Sequence, residues 1–413
     1  MQKQIRNIFI FLALFSLTAL VSFKAGKSVA LTENGKSNTE VLDLTLMWKV
    51  RDKLNQSFLE KDKIDDKSMT YGAISGMVSS LGDPYTVFLP PKENKSSNDD
   101  LAGEFGGVGI QLGYKDKNLA VVAPLAKTPA DKAGVRAGDL ILKIIDKEKN
   151  IDKDTVGISL DEAVSLIRGK VGSEVTLKFF REGQKDTFEK TLVRDNIVVP
   201  SLELEWIKRG TKNVAWIKLY KFSEQTYKDW PEAVDKIISE KSKFGNSFGG
   251  IVLDLRNNPG GYLQASVLVA SDFIRDGVVV SQKSSDGKEE VYKVDTSKGR
   301  LVNEKLVVLI NEGSASAAEI LAGALKGHNR ARLVGVKSFG KGTVQSPLDF
   351  ADGSGLHVTI AKWLLPDGKN IHGEGVLPDV EEKWVDNTAD SVNINNVEAK
   401  DNQLEKAVEI LLN

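Results

Sequence analysis

The sequence contains no cysteine and only three histidines among its 413 residues. The lack of cysteine excludes disulfide bonds, thiolate metal sites, a thiol nucleophile and a lipid-modified N-terminal cysteine. His328, His357 and His372 do not fall in the spacing of HExxH or a similar metal-binding motif, and there is no phosphate-binding loop. We therefore expect no metal and no cofactor. A hydrolase with a histidine base would have to use one of these three residues.

The sequence also lacks an excess of charge of either sign, since it contains 56 lysines and arginines and 57 aspartates and glutamates. Without a net field, we expect no long-range attraction to nucleic acid or to acidic lipid. The apolar fraction of 41% and the charged fraction of 27% are typical of a soluble globular protein. The length allows two or three domains of about 100–200 residues each.

The N-terminus has the three parts of a secretory signal. Lys3 and Arg6 precede an apolar run at residues 8–23, and Ser28-Val29-Ala30 has the small-x-small pattern of a cleavage site. The run is slightly short for a membrane span of about 20 residues, so a cleaved signal peptide and a retained membrane anchor both stay open for residues 1–30. In either case we expect the rest of the chain to act outside the cytoplasm, whether secreted, periplasmic or anchored facing outward.

Residues 41–100 and 101–195 differ in their apolar patterns. The first part has the periodicity of two helices up to a turn at Gly82, and its charged stretch at 92–100 predicts a flexible connector. The second part contains short alternating runs typical of strands and one helix that begins after Ser159. We interpret the two parts as an N-terminal helical region followed by a compact β-rich module.

After the module, apolar strands alternate with helices, which predicts a layered α/β core over residues 196–386. The helices are predicted at about 224–240, 262–275 and 316–326. The tail at 387–413 combines a linker with a final helix that has apolar residues at helical spacing. We expect that helix to dock against the fold or against a second copy of the chain.

A turn of small residues between an apolar strand and a helix offers the first candidate catalytic group. Residues 311–320 have the sequence NEGSASAAEI. Such a turn exposes a side chain at the strand end, and the free N–H groups of the helix start stabilise developing negative charge. Ser314 or Ser316 is therefore a candidate nucleophile. Taken alone, either serine fits a simple helix cap equally well.

A lysine flanked by glycines follows another apolar strand, in the sequence SFGKGTVQ. If residues 341–345 are extended, Lys341, Thr343 and Gln345 share one face, so Lys341 can act as a general base that Gln345 orients. A neutral amine near neutral pH needs a pKa about 2–3 units below its free value, which corresponds to desolvation of on the order of 3–4 kcal/mol. We therefore expect apolar surroundings and no carboxylate in contact with Lys341. An ordinary solvated lysine is the alternative.

A third loop, with the sequence DLRNNPGG at residues 254–261, also follows an apolar strand. Gly260 and Gly261 allow the backbone to point an N–H group at a ligand, which would supply an oxyanion donor. Asp254 and Arg256 are predicted to make structural bonds that hold the turn.

Seven stretches together resemble the carboxyl-terminal processing proteases, also called tail-specific proteases. They stand in the family's order, and the resemblance covers nearly everything from residue 41 onward. The stretches are LGDPYTVFL (81–89), GEFGGVGIQL (103–112), TPADKAGVRAGDLILKI (128–144), LDLRNNPGGYL (253–263), NEGSASAAEILAGAL (311–325), GVKSFGKGTVQ (335–345) and LPDGKNIHGEGVLPDV (365–380).

The resemblance implies a layered α/β protease core of the crotonase/Clp-protease type, an inserted PDZ domain at 101–195 and an N-terminal helical region. It places the nucleophile on Ser316, with Ser314 as a turn residue, the general base on Lys341 and its supporting glutamine on Gln345. The implied oxyanion donors are the amides of Ala317 and of Gly260 or Gly261. Some relatives carry an aspartate after the catalytic helix, but this chain has Lys326-Gly327-His328 there, and we assign no acid.

The PDZ resemblance gives the segment Gly107-Val108-Gly109-Ile110 a role in peptide binding. In such domains the backbone N–H groups of this loop bind a terminal carboxylate, and the peptide adds as a strand. The implied apolar pocket uses Val108, Ile110, Val164 and Ile167. The expected substrates are exported proteins or peptides with apolar, disordered C-termini, cleaved by a serine endopeptidase. A purely structural glycine turn is the alternative.

Three other functions stay open. A Ser-His hydrolase would use His357 or His372, and a PDZ scaffold would have an inactive protease core. A hydratase-like enzyme would need a nucleotide or coenzyme pocket. Helices at both ends of the folded region favour a homodimer.

Overall fold

The computed structural model describes residues 42–385 and 401–413, apart from residues 116 and 126. The predicted signal or anchor at 1–30 and most of the predicted linker lie outside these ranges. The chain divides into two compact units after Thr70. Within the described ranges, no helix is both long and apolar enough to cross a bilayer.

The described part of the first unit is helical. Helix α1 (Thr45–Ser57) and a short 3₁₀ turn (Lys61–Lys63) lead to the start of helix α2 (Asp66–Ser79), which continues into the second unit. Arg51 and Asp66 form an ion pair with an Nη2–Oδ1 distance of 2.7 Å. The two helices predicted before Gly82 are confirmed.

After the end of α2, the second unit continues with strand β1 (Val87–Leu89) and helix α3 (Pro91–Ala102). The flexible connector predicted at 92–100 is therefore wrong. Proline at the first helical position and Gly103 in the left-handed C-cap (φ 75°) define the helix ends, and Lys95 and Asp99 pair one turn apart at 2.8 Å. The helix has few apolar residues, which is why apolar periodicity did not reveal it.

The β-rich module follows, with its single longer helix where the sequence placed it. Ser159 caps that helix by accepting a hydrogen bond from the Glu162 amide at 3.2 Å. The module forms a six-stranded antiparallel sheet in the order β3-β4-β5-β7-β8, with β6 paired to β5. Its elements are β2 (Glu104–Gly107), β3 (Ile110–Lys115), β4 (Asn118–Pro124), α4 (Pro129–Lys132), β5 (Leu140–Asp146), β6 (Ile151–Asp154), α5 (Leu160–Ile167), β7 (Glu174–Phe180), β8 (Phe188–Val193) and β9 (Asp195–Val198).

The chain enters and leaves the module through the paired strands β2 and β9. Arg194, just before β9, is fully buried and forms an ion pair with the equally buried Asp146 at 2.7 Å. The Arg194 guanidinium also donates to the carbonyls of Ile167 and Leu166 at 2.7 and 3.2 Å. The two bonds to these carbonyls fix the end of α5 to the exit strand β9.

The remaining elements build the α/β core. They are β10 (Leu202–Arg209), β11 (Lys212–Leu219), α6 (Thr226–Phe244), β12 (Phe248–Asp254), α7 (Leu263–Phe273), β13 (Val278–Ser284), β14 (Glu289–Lys293), β15 (Leu306–Ile310), α8 (Ala317–Gly327), β16 (Arg332–Gly335), β17 (Thr343–Asp349), β18 (Gly355–Leu364), β19 (Val380–Glu381) and α9 (Asn402–Leu412). The predicted core helices and final helix are all present.

Two sheets form this core. The first has the order β10-β11-β12-β15-β16-β19 and is parallel from β11 onward. Helices α6, α7 and α8 pack on one face and α9 on the other, so alternate residues of each central strand are buried on opposite sides. The second sheet is antiparallel, in the order β1-β18-β13-β14, with β17 paired to β18.

Leu411 of α9 is 2% exposed and belongs to the cluster between this helix and the parallel sheet. We expect Leu411→Ala to lower the free energy of unfolding by about 2–4 kcal/mol, because it leaves a cavity under the sheet. Chemical denaturation measures this change. Glu409→Ala, on the exposed face of the same helix, is the control and is expected to change stability by about 0.5 kcal/mol or less. Equal losses in the two variants would contradict the observed docking.

Candidate active site

Three functional loops meet at one edge of the parallel sheet. Strands β12, β15 and β16 are parallel neighbours, so their carboxyl ends lie side by side. The DLRNNPGG loop follows β12, the serine turn follows β15 and the lysine segment follows β16. This edge of an open α/β sheet is where ligand sites form in such folds.

Ser316 stands at the N-cap of α8 in a strained backbone conformation, with φ 53° and ψ −117°. A residue other than glycine in this region costs about 1–3 kcal/mol, and such strain is common in active sites. Ser316 is half-buried at this turn. Ser314, by contrast, is fully buried, and its hydroxyl donates to the Leu255 carbonyl at 2.7 Å.

Gly260 lies directly against the candidate nucleophile. A Cβ atom at Gly260 would be 2.7 Å from Ser316 Cβ and 2.9 Å from the Ala317 nitrogen, so only glycine fits. The Gly260 N–H donates to Asn258 Oδ1 at 2.9 Å. Within the described residues, the N–H groups of Gly261 and Ala317 have no acceptor. Of the two glycines predicted as alternatives, Gly261 is therefore the one with an available donor.

Hydrogen bonds join the DLRNNPGG loop to the serine turn. Asn257 and Asn311 exchange two bonds, from the Asn257 amide to Asn311 Oδ1 at 2.8 Å and from Asn311 Nδ2 to Asn257 Oδ1 at 2.9 Å. The Ala315 amide donates to the Asn258 carbonyl at 2.9 Å. These bonds make the position of one loop depend on the other.

The buried carboxylate of Glu319 connects the serine turn to the lysine segment. Its Oε2 accepts the amides of Ser316 and Lys341, both at 2.9 Å. Its Oε1 accepts the Ser338 hydroxyl and the Gly340 amide, both at 2.6 Å. One side chain, fully removed from solvent, thus fixes the backbone of both candidate catalytic residues.

Lys341 is largely withdrawn from water. Burial lowers the pKa of Lys341, and the negative charges of Asp83 and Glu319 offset part of this effect. Its Nζ lies 5.1 Å from the centre of the Tyr85 ring. We expected no carboxylate in contact with Lys341. Glu319 does contact it, but at the backbone amide, and no ion pair to Nζ occurs in the described part of the chain.

Gln345 lies on β17, four residues beyond the lysine. Its Nε2 donates to the hydroxyls of Thr343 and Thr359 at 2.9 and 3.2 Å. The structure contains no hydrogen bond between Gln345 and Lys341, and among the described residues nothing donates to Gln345 Oε1. An orienting role for Gln345 therefore stays a prediction.

The three histidines occupy different surroundings. His328 Nε2 lies 2.7 Å from the Val278 carbonyl, and His372 is exposed with its ring 6.1 Å from that of Tyr85. His357 Nε2 is buried without a partner in the described residues. Burial lowers the pKa of His357, and the positive charge of Lys341 lowers it further. None of the three is hydrogen-bonded to Ser316 in the described ranges.

In the β-rich module, Gly109 has φ 74°, and a Cβ there would lie 2.3 Å from the Thr128 side chain. The Val108 and Gly109 amides have no acceptor within the described residues. Val108 and Ile167, predicted to line the pocket, are 1% and 5% exposed and belong to the core. Ile110 and Val164 are partly exposed. The candidate site thus consists of free amides beside two accessible apolar residues.

Comparison with known proteins agrees with this arrangement. Residues 213–382 match peptidase family S41, residues 106–192 a PDZ domain, and residues 14–92 the N-terminal domain of the activating protease CtpB. The carboxy-terminal processing protease CtpA of Bacillus subtilis (strain 168) is 35% identical over 94% of this chain and 79% of its own length. The chain belongs to the S41 family of carboxy-terminal processing serine proteases.

Two further relatives support the same grouping. A probable CtpA-like serine protease of Staphylococcus aureus (strain bovine RF122 / ET3-1) is 37% identical over 92% of this chain and 72% of its own. A putative S41 protease from Bacteroides fragilis NCTC 9343 superposes with a TM-score of 0.56 at 16% identity, over 92% of this chain and 98% of its own. The second likeness shows the shared fold. The predicted fold class, a layered α/β protease core with an inserted PDZ domain and an N-terminal helical region, is confirmed.

Sequence reasoning missed three residues of this S41 site. Glu319 stood in a quoted motif, but its apolar neighbours suggested only another helix residue. Asp83 and Tyr85 also stood in a quoted motif, but only the turn at Gly82 was interpreted there and neither residue was given a role. The turn brings them to Lys341 because β1 pairs with β18, the neighbour of β17. The capping-box spacing from Ser316 to Glu319 was the available signal for the glutamate.

We expect Glu319→Gln to reduce proteolysis by about 100-fold, because an amide group facing the Ser316 and Lys341 amides displaces both candidate catalytic residues. Loss of two buried acceptor bonds should also lower the free energy of unfolding by about 2–3 kcal/mol. Initial rates and denaturation curves measure the two effects.

Glu312→Gln is the matched control, since Glu312 is exposed on the same turn. It should leave both quantities unchanged. Full activity in Glu319→Gln would show that the carboxylate does not hold the site.

Proposed function

We propose that this protein is a serine endopeptidase in which Ser316 is the nucleophile and Lys341 the general base. The observation that carries the proposal is the Glu319 carboxylate, which holds the backbones of both residues at one oxygen atom. The strained Ser316 backbone and the desolvated lysine support the same assignment. Membership of the S41 family favours cleavage near the C-termini of protein substrates.

The first step joins proton transfer to acylation. The neutral Lys341 amine takes the proton from the Ser316 hydroxyl while Oγ attacks the scissile carbonyl carbon. The carbonyl oxygen becomes an oxyanion, for which the free N–H groups of Gly261 and Ala317 are the donors. The Lys341 ammonium then protonates the leaving amine. In the second half of the reaction, water gives a proton to the same lysine as it attacks the acyl carbon, and the lysine returns that proton to Ser316 Oγ when the acyl group leaves.

Burial of the Lys341 side chain favours the neutral amine, because it disfavours the charged form. The carboxylates of Asp83 and Glu319 act in the opposite direction, which limits the fall in pKa. We propose that Gln345, through its free Oε1, orients the amine toward Ser316.

We further propose that the PDZ domain binds apolar C-terminal tails. The Val108 and Gly109 amides supply donors for a terminal carboxylate, and Ile110 and Val164 supply accessible apolar surface. A disordered tail can add as a strand beside β3, whereas a folded domain cannot. The available surface at Ile110 and Val164, not the buried Val108 and Ile167, would then set the preference for apolar side chains.

Location and assembly form the last part of the proposal. The basic and apolar pattern of residues 1–30 supports export, with the catalytic region outside the cytoplasm.

A homodimer is supported by the apolar residues of the first unit, since Leu46, Trp48 and Val50 are 71%, 54% and 51% exposed. Sedimentation of the protein with and without Leu46→Glu tests this assembly.

We expect Ser316→Ala and Lys341→Ala to abolish cleavage of an unfolded protein substrate, while Lys337→Ala, an exposed lysine of the same segment, remains active. The base works only when it has lost its proton. The value of kcat/KM should therefore rise with pH through the Lys341 pKa, with a midpoint below the ordinary value of 10.5.

The rival Ser-His mechanism makes the opposite prediction. It requires cleavage to rise with the deprotonation of a histidine, at a pH below 6.5 if that residue is His357, and it requires loss of cleavage in His357→Ala or His372→Ala. Retained activity in both histidine variants, together with loss in Lys341→Ala, would rule it out. Activity in either Ser316→Ala or Lys341→Ala would refute the proposed pair.

We expect a labelled peptide with an apolar C-terminus to bind the protein, and its C-terminal amide to bind at least about tenfold more weakly, because the terminal charge is lost. Val164→Glu should weaken binding by a similar factor. Val156→Glu, at a 90% exposed position of the same module, is the control. Fluorescence anisotropy measures the affinities, and equal binding of acid and amide would contradict carboxylate recognition.

A further inference from the structure

We propose that the N-terminal end of the final helix α9 positions the DLRNNPGG loop, at residues 254–261, through Arg256. This oxyanion loop carries Gly261, the proposed oxyanion donor. The positioning residues are Asp401 and Gln403 on α9 and Arg256 on the loop. The proposal rests on the proposed function for its catalytic consequence, and its structural part can be measured separately.

Arg256 forms the centre of this contact. Its Nη2 donates to Asp401 Oδ2 at 2.7 Å, and its Nη1 donates to Asp401 Oδ1 and Gln403 Oε1, both at 3.0 Å. The two parallel bonds to Asp401 give the fork geometry that fixes a guanidinium most firmly. The Arg256 side chain is 11% exposed and that of Asp401 20%, so the pair is only partly screened by water.

The same guanidinium also holds the start of the loop. Arg256 Nε and Nη2 donate to Asp254 Oδ1 and Oδ2 at 2.9 and 2.6 Å, and the Arg256 amide donates to Asp254 Oδ1 at 3.1 Å. Trp216 Nε1 donates to Asp254 Oδ2 at 3.2 Å. Arg256 thus lies between a carboxylate at the end of β12 and a carboxylate of α9.

Gly261 follows Arg256 by only five residues, so the position of Arg256 affects the position of the proposed oxyanion donor. Asn257 has φ 58° and is bonded to Asn311 of the serine turn. The fully buried Asn258 donates from Nδ2 to the Leu219 carbonyl at 2.7 Å and accepts the Gly260 amide. Gly260 in turn contacts Ser316, and Gly261 offers the free amide. A shift of Arg256 would therefore move the proposed oxyanion donor relative to the nucleophile.

The final helix is well suited to serve as the fixed point. Its apolar face packs on the sheet through Leu404, Val408 and Leu411. Asp401 caps the helix by accepting the Leu404 amide at 2.9 Å, and Gln403, 2% exposed, donates to the Glu382 carbonyl at 2.7 Å. The side chains that bind Arg256 are thereby held by bonds of their own.

The decisive comparison is Asp401→Asn against Glu409→Gln. Asparagine keeps the helix cap but removes the charge that pairs with Arg256. Glu409 lies on the same helix, and among the residues that the structure describes its carboxylate pairs only with Lys406, at 3.0 Å. Hydrogen exchange at the amides of Asn257, Asn258, Gly260 and Gly261 reports loop order whether or not the protein cleaves anything. In Asp401→Asn we expect this exchange to be about tenfold faster, and in Glu409→Gln unchanged.

Kinetics then test the catalytic consequence. For Asp401→Asn we expect kcat to fall about tenfold with little change in KM, because the oxyanion contact exists only in the transition state. A peptide aldehyde, whose adduct with Ser316 carries an oxyanion, should bind more weakly by a similar factor. Arg256→Gln combined with Asp401→Asn should be no slower than Arg256→Gln alone.

Unchanged exchange in Asp401→Asn would overturn the proposal, as would additive effects in the double variant. A fall in thermal stability with kcat and aldehyde affinity unchanged would also overturn it, since the contact would then be merely structural. If the wild-type protein cleaves no unfolded substrate, the proposed function fails, and the exchange measurement still decides whether α9 orders the loop.

Discussion

Four hydrogen bonds converge on the Glu319 carboxylate, and the geometry of the site depends on them. A carboxylate removed from water is costly unless donors replace its hydration, and here two donors reach each oxygen. Three of the four donors are backbone amides, so Glu319 fixes main chain, and the side chains of Ser316 and Lys341 follow. The same charge that orders the site also opposes neutralisation of Lys341. Glu319 therefore both orders the backbone of the site and limits the fall in the Lys341 pKa.

The parallel sheet explains why three loops distant in sequence form one site. Strands β12, β15 and β16 are adjacent and parallel, so the loops that follow them leave the sheet at the same edge. Each loop is then tied to the next, by the Asn257–Asn311 pair between the first two and by Glu319 between the last two. The two faces of the sheet divide the remaining tasks. Helices α7 and α8 support the loops from one side, and on the other side Asp401, the cap of α9, binds Arg256 of the DLRNNPGG loop.

Recognition of the fold from the sequence succeeded where local pattern and tertiary role agree. The core helices, the alternating strands of the module and the final helix have periodicities that packing preserves. The prediction was wrong at α3, because that helix is stabilised by its end residues and by charge pairs, and it has little apolar periodicity. The prediction was incomplete at the peptide-binding pocket of the PDZ domain. Val108 and Ile167 are apolar, as the pocket requires, but both are buried in the domain core. Burial of a particular apolar residue depends on packing that no local pattern contains.

The sequence by itself determined the absence of thiol chemistry, the order of domains and the motifs that carry Ser316, Lys341 and the two glycines. Only the tertiary structure decided how these residues are held. It selected Gly261 as the available donor because Asn258 occupies the Gly260 amide, and it brought Asp83 and Tyr85 to the lysine through a strand pairing. The physical reason is that spacing along the chain specifies side-chain chemistry and local backbone shape. Hydrogen-bond partners, desolvation and electrostatic balance are properties of residues that only folding brings together.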